Sequence, residues 1–250
     1  MPSKNIDIKT PDGLCDSYVA YPDSNGLYPA VLFYMDGIGV RPVMHQMADR
    51  IAARGYYVLL PNLYYRHGRA PLFEVAEILR PENRPKLMGM VLSVTPELVL
   101  RDAGIFLNFL GAQKEVNPTS KMGLTGYCMG GSMAIRTAAH YPEKIAAAAS
   151  FHAGRLVTEA ADSPHRLVGQ ISAELYFGHA DKDPSMPTAD IARLDEHLQA
   201  AGTRYQSELY AGAMHGFTMS DLPPYNETAC NQHWDRLLSL YERTLKPHAE

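Results

Sequence analysis

The sequence predicts an α/β fold with a mainly parallel central sheet and helices on both of its faces. Short apolar runs of strand length alternate with segments whose apolar residues recur at helical spacing. The 250 residues contain no internal repeat and no low-complexity stretch, and their content of 46% hydrophobic and 20% charged residues is ordinary for a globular protein. We therefore expect one large domain spanning residues 1–250.

The strands are predicted from short apolar or alternating runs. They lie at residues 6–9, 17–21, 30–34, 56–60, 121–125, 145–150, 174–178 and 205–210. The turn Pro11-Asp12-Gly13 would join the first two strands as an antiparallel pair. The run at 30–34 is apolar throughout, which is typical of a central strand buried on both faces.

The helices are predicted from apolar residues at helical spacing. They lie at residues 42–54, 96–110, 187–201 and 226–245, with an Ala-rich helix from residue 131 towards Pro142. Gly55 and Gly202 follow two of them as C-terminal caps. Between residues 62 and 95 the pattern loosens and Met, Pro and Arg residues are frequent. This segment is either an excursion above the sheet that shapes a binding cleft, or a surface loop with short helices.

Residues 126–130, with the sequence Gly-Tyr-Cys-Met-Gly, predict a nucleophile elbow between a strand and a helix, as in α/β-hydrolases. Such a turn forces unfavourable backbone angles on its central residue, so the residues two positions away must be nearly free of side chain. The thiol of Cys128 would lie at a helix N-terminus, where the dipole favours a thiolate. The alternative is a buried, inert cysteine before a glycine-rich turn.

A thiolate nucleophile needs a base to carry its proton and an acid to orient that base. In α/β-hydrolases these follow the nucleophile in the order acid, histidine, on loops after late strands. His215 follows the last predicted strand and is flanked by Gly216, so we predict that it is the base. Asp183 and Asp181 both follow the preceding strand. We prefer Asp183 as the acid because it stands directly before the turn into the next helix.

The oxyanion formed by attack on a carbonyl needs fixed N–H donors. We predict the backbone N–H of Met129 as one donor and that of Ile38, in the glycine-containing loop 35–39, as the other. The same loop places Asp36 near the predicted thiol. This carboxylate would hold the thiol neutral at rest or take its proton, or it would serve only the turn.

The set of Asp36, residues 126–131, Asp183 and His215 resembles the dienelactone hydrolase family, over nearly the whole chain. The resemblance implies an α/β-hydrolase domain that is commonly monomeric, needs no cofactor, and opens a lactone ring through a Cys-His-Asp triad and a thioester. It also implies that Asp36 takes the place of an acidic residue, glutamate in the best-known member, that interacts with the resting thiol. Met219 departs from the pattern, because that member has an arginine there to hold the substrate carboxylate.

Other residues are candidates for substrate binding. Arg66 would supply a replacement cation, and Tyr64 and Tyr65 would line an aromatic pocket, although a solvated arginine and core packing explain them equally well. Gly37 would allow close approach of a ligand to the backbone. His152 follows another predicted strand and would line the same cleft.

Composition argues against several other functions. A net charge of −4 offers no basic surface for nucleic acid or an anionic membrane. No apolar run approaches the roughly 18 residues of a membrane span, and the first residues lack the apolar stretch of a signal peptide, so we expect a cytoplasmic protein. Cys15, Cys128 and Cys230 show no CxxC spacing, which predicts neither a disulfide framework nor a zinc site.

The sequence therefore predicts a hydrolase of lactones or small activated esters. It would take a small-molecule substrate without cofactor or metal, as a monomer or small homo-oligomer. A general carboxylesterase or thioesterase with the same triad is the nearest alternative. A non-catalytic binding protein on the same fold and a redox sensor at Cys128 are alternatives from other classes, and the latter lacks a resolving cysteine nearby.

Overall fold

The computed structural model of the chain describes residues 2–246. Their backbone forms two compact units, which divide between Ser120 and Lys121. None of the helices formed by residues 2–246 combines the length and apolar character that crossing a bilayer requires.

The first unit contains four strands in the spatial order β1-β2-β4-β3. Their bounds are β1 Ser3–Thr10, β2 Gly13–Ala20, β3 Ala30–Tyr34 and β4 Tyr57–Pro61. The pairs β1/β2 and β2/β4 are antiparallel, and β3/β4 is parallel. The predicted antiparallel start and the predicted central strand at 30–34 are therefore confirmed. All five residues of β3 are buried, which explains why its sequence is apolar without alternation.

Two of the four helices of the first unit lie within the stretch that sequence patterns described least well, residues 62–95, and the other two flank it. Their bounds are α1 Pro42–Ala52, α2 Val75–Ile78, α3 Arg84–Ser93 and α4 Pro96–Gly111, with a 3₁₀ turn at Pro81–Asn83. Helix α1 ends two residues before its predicted end, with Ala53 as its C-cap, and Gly55, with φ of +94°, lies in the turn that follows. Residues 62–95 thus contain short helices, and α3 has no fully buried residue. Whether this segment shapes a cleft stays a prediction.

The second unit contains four parallel strands in the order β5-β6-β7-β8. The strands are β5 Met122–Tyr127, β6 Ile145–Phe151, β7 Glu174–Lys182 and β8 Tyr205–Met214, and the helices are α5 Met129–His140, α6 Pro164–Leu167, α7 Thr188–Ala200 and α8 Glu227–Leu245. A 3₁₀ turn lies at Val168–Gln170. The predicted α/β class with a mainly parallel sheet is confirmed.

Strands β7 and β8 extend four residues beyond their predicted ends at 178 and 210. Their pairing continues to Lys182 opposite Met214, after a register irregularity that begins at Ala180. Because the two strands end side by side, the next residue of each, Asp183 and His215, follows directly at the carboxyl edge. This edge is where parallel α/β sheets carry their ligand sites.

Candidate active site

Cys128 occupies a strained turn between β5 and α5. Its backbone angles, φ 54° and ψ −118°, lie outside the regions that non-glycine residues ordinarily adopt. A Cβ atom on Gly126 would overlap the backbone carbonyl of Gly130, so glycine is required at this position. A Cβ on Gly131 would come within 2.6 Å of Ala153. The predicted elbow geometry is therefore present, with a half-buried thiol at the N-terminus of α5.

His215 and Asp183 form a short hydrogen bond at the ends of β8 and β7. The Nδ1–H of His215 donates to Asp183 Oδ2 over 2.6 Å. The other carboxylate oxygen of Asp183 accepts from the hydroxyl and the backbone N–H of Ser185, at 2.6 and 2.9 Å. The bond from the Ser185 N–H forms an Asx-turn, in which an aspartate side chain accepts from the backbone two residues later. Sequence reasoning missed Ser185, although an aspartate in a loop is a known signal for this turn.

Asp181, the competing carboxylate, has a different partner. Its Oδ2 accepts from the backbone N–H of Gly212 over 2.9 Å, so this hydrogen bond links β7 to the last residues of β8. Gly212 has a φ of +70°, which glycine adopts without strain. Of the two aspartates, Asp183 is the one hydrogen-bonded to His215.

The electrostatics of His215 favour its charged form. Burial alone would lower its pKa, but hydrogen bonds with Asp183 and with the Cys128 side chain outweigh this effect and raise the pKa to about 10. For Asp183, burial acts to raise the pKa, whereas its bonds from His215 and Ser185 lower it more strongly, so the net pKa is below the ordinary value. At neutral pH His215 is thus an imidazolium that is hydrogen-bonded to the Asp183 carboxylate.

His152 is packed against His215 and is not open to solvent. It is 1% exposed, and its ring centroid lies 5.3 Å from that of His215 in an edge-on arrangement. Its Nε2 is hydrogen-bonded to Thr218 Oγ1 over 2.8 Å. Burial, followed by the positive charge of His215, holds the pKa of His152 well below its usual value, so the ring is neutral. The prediction that His152 lines a cleft is corrected, because its side chain is buried.

In the first unit, Asp36 is bound by its own loop. Arg41 donates from both terminal nitrogens to the two Asp36 oxygens, at 2.8 and 2.9 Å, and both side chains are buried. The backbone N–H of Ile38 also donates to Asp36 Oδ1, over 2.9 Å. The Ile38 N–H therefore already has an acceptor, and the prediction that it is an oxyanion donor is wrong for this conformation. Within the described residues the N–H of Gly37 has no such acceptor.

The predicted substrate-binding residues of the first unit are engaged in internal bonds. The hydroxyl of Tyr64 donates to the Gly37 carbonyl over 2.7 Å. Tyr65 donates to Asp102 over 3.1 Å, and Arg66 forms an ion pair with the same carboxylate at 2.7 Å while lying over the Tyr65 ring. Their roles in binding stay predictions. Sequence reasoning missed Asp102 and Arg41, whose partners lie many residues away or across a turn.

The parallel strands and the strand–turn–helix with a strained central cysteine define this chain as an α/β-hydrolase. The family model of the dienelactone hydrolase family matches residues 15–245. The chain belongs to that family, and the predicted family resemblance is confirmed.

Relatives agree with this membership, and a solved structure shares the fold. A Methylorubrum extorquens protein named "Putative carboxymethylenebutenolidase" is 28% identical over 237 residues, which cover 93% of this chain and 78% of that protein. A Synechocystis protein of the same name is 27% identical over 248 residues, covering 98% and 96%. The crystal structure of a Klebsiella pneumoniae "Putative Dienelactone Hydrolase" superposes with a TM-score of 0.85 at 23% identity, covering 97% and 98%. The chain is accordingly an enzyme that hydrolyses carboxylic esters.

Proposed function

We propose that this hydrolase opens lactones or cleaves small activated esters through a Cys128–His215–Asp183 triad and a thioester intermediate. The observation that carries the proposal is the hydrogen bond of 2.6 Å from His215 to Asp183, together with the interaction of His215 with the Cys128 side chain that helps to raise the pKa of His215. Nucleophile, base and orienting acid in hydrogen-bond contact are the arrangement that nucleophilic catalysis requires.

In the first half-reaction, the imidazolium of His215 is the counter-charge of a Cys128 thiolate. The sulfur attacks the carbonyl carbon, a C–S bond forms, and the electron pair moves to the carbonyl oxygen. The backbone N–H of Met129 is the expected donor of a hydrogen bond to this oxyanion. When the intermediate collapses, the C–O bond to the alkoxide breaks and His215 gives its proton to that oxygen. In a lactone the new alcohol stays attached to the acyl group.

The second half-reaction consumes one water molecule. Neutral His215 accepts a proton from water while the oxygen attacks the thioester carbon, and the C–S bond then breaks. The sulfur leaves as a thiolate beside the regenerated imidazolium, and the acyl group is released as a carboxylic acid. Asp183 keeps the Nδ1 proton in place through both steps, so that Nε2 is the nitrogen that exchanges protons with sulfur, alkoxide and water.

A general carboxylesterase or thioesterase is the second candidate, and one observation favours it. Met219 is fully buried at the position where the family resemblance would place an anion-binding arginine. Arg66, the suggested substitute, is already ion-paired to Asp102. An anionic lactone would therefore lack two expected anchors, whereas neutral esters need neither.

Steady-state kinetics on a panel of neutral lactones, anionic lactones and p-nitrophenyl esters tests these candidates. Turnover of lactones with kcat/KM at least about tenfold above that of matched open-chain esters supports the lactonase function, and the reverse order supports the esterase. Cys128→Ala is measured on the best substrate as the control. If that variant keeps ordinary rates, the triad mechanism is refuted for both.

A further inference from the structure

The loop that follows β6 touches all three segments that carry the proposed triad. Ala153 packs against Gly131 of the elbow helix, where an added Cβ would come within 2.6 Å of it. Gly154 packs against Ser185: a Cβ added to Gly154 would lie only 2.7 Å from the Ser185 hydroxyl oxygen. His152 packs edge-on against His215, with 5.3 Å between ring centroids. We call residues 152–154 the β6 loop.

Within the β6 loop, His152 makes the contacts with the loop that carries His215. Its Nε2 is hydrogen-bonded to the hydroxyl of Thr218, which is buried and stands three residues after His215. Its ring also packs 5.3 Å from that of Phe217. The backbone N–H of His152 donates to the Gly178 carbonyl over 2.8 Å, so the support is itself anchored in the sheet.

Two unfavourable features meet at His152. Its φ is +38°, in the left-handed region that side chains other than Asn, Asp and His rarely adopt. Its Nδ1 is buried and has no hydrogen-bond partner within the described residues. A residue that served packing alone could be replaced by a glycine without either cost. Both costs occur at a residue whose ring packs against that of His215.

The neutral imidazole of His152 can hold His215 in position, but with its lowered pKa it is a poor proton acceptor. The titratable or charged groups near His152 come from four elements: His215 after β8, Asp183 after β7, Tyr127 in β5 and His233 in α8. A second positive charge beside His215 is disfavoured, so His152 stays neutral while His215 is an imidazolium. It therefore acts on the reaction through the position of His215 and not as a second base.

We propose that His152 is a positioning residue, which through Thr218 and its ring contact holds the His215 imidazole in line between Asp183 and Cys128. This inference rests on the catalytic role proposed for His215. Loss of the support would let the loop of His215 move and lengthen its bond to Asp183. A displacement of about 1 Å in a catalytic group costs up to about a hundredfold in rate.

The test uses Thr218→Val, which removes the hydroxyl and nearly keeps the volume, and His152→Asn, which tolerates the left-handed backbone. The pKa of His215 is read directly by NMR with ring-labelled histidine, assigned with a His215→Gln sample, and is measured beside kcat and KM. We expect each variant to lower the pKa of His215 by about one unit, a tenfold change in the imidazolium-to-imidazole ratio. We expect kcat to fall about tenfold with KM within twofold, and Thr218→Ser to recover most of both.

Thr203→Val is the matched control, because it also removes a hydroxyl hydrogen bond, 3.2 Å long, to a backbone carbonyl elsewhere in the second unit. It should leave the pKa of His215 and kcat unchanged. The inference is overturned if Thr218→Val and His152→Asn, folded by circular dichroism, leave the pKa of His215 at its wild-type value. That readout needs no turnover, so it separates this failure from a failure of the triad, which active Cys128→Ala would reveal. If Thr218→Val does not fold, His152→Asn decides alone.

Discussion

Asp183→Asn offers the most informative test of the site, because it removes a charge and keeps the shape of the side chain. The hydrogen bond with Asp183 is the first of the effects that raise the pKa of His215 from its ordinary 6.5 to about 10. With a pKa of 10, about 99% of His215 is imidazolium at pH 8, whereas with a pKa of 6.5 only about 3% is. In the variant, the fraction of His215 that is imidazolium at pH 8 should therefore fall by up to about 30-fold. The fall is smaller if the interaction with Cys128 still stabilises the charged form.

Two assays report this loss. The rate of Cys128 alkylation by iodoacetamide is followed by mass spectrometry from pH 5 to pH 11, and kcat/KM for p-nitrophenyl acetate is measured over the same range. We expect the alkylation rate of Asp183→Asn at pH 8 to fall, by no more than about 30-fold, and kcat/KM to fall at least about a hundredfold because orientation of the base is lost as well.

Asp181→Asn is the matched control for this prediction. Its carboxylate receives the Gly212 N–H, a bond that the amide oxygen of asparagine also accepts, and it has no contact with His215 among the described hydrogen bonds. Its rates and pH profile should be those of the wild type. The reasoning is refuted if Asp183→Asn keeps the wild-type profile, or if Asp181→Asn shows the loss in its place.

Four further outcomes are expected. Cys128→Ala should lower kcat by at least about 10⁴-fold, with a thermal unfolding midpoint within about 4 °C of the wild type. Iodoacetamide at pH 8 should modify Cys128 at least about tenfold faster than Cys15, because Cys15 is fully buried and burial raises its pKa to about 12; equal labelling in peptide maps would contradict this. Gly126→Ala should destabilise the protein by about 1–3 kcal/mol in urea unfolding, since its Cβ would overlap backbone, whereas Gly169→Ala, which meets only an ordinary contact, should not. Folding raises the pKa of His215, so its pairing with Asp183 stabilises the protein fully below about pH 6.5, and this contribution is lost as pH rises through about 10. The difference in unfolding free energy between the wild type and His215→Gln should therefore shrink over that range. A constant difference would contradict the pairing.

Local patterns predicted the fold well where burial or turn chemistry acts within a few residues. The strand β3 was predicted at its observed bounds because both of its faces are buried, which leaves five apolar residues in a row. The ends of β7 and β8 were not predicted, because the polar and small residues from His179 to Lys182 have little intrinsic preference for strands. They are extended because they pair with the residues of the neighbouring strand, a contact between distant parts of the sequence.

The same distinction between local signals and tertiary contacts holds for the residues of the site. Cys128 could be found because its turn leaves a glycine signature on both sides. The role of Ile38 was misjudged because the Asp36–Arg41 ion pair, which orients the loop, has no pattern in sequence that marks it. His152 was taken for a lining residue because its place after a strand is visible in sequence, whereas its burial against His215 is set by tertiary packing.

The irregularity near the end of β7 has a consequence for how this enzyme can evolve. Side chains of a strand alternate between its two faces, so a slip by one residue exchanges those faces. With carboxylates at 181 and 183 and one misaligned step beside them, a single inserted or deleted residue would withdraw one acid from the imidazole and present a different neighbour. In this chain, the carboxylate of Asp181 could take the place of that of Asp183 only through a shift of two residues, which keeps the same face of the strand.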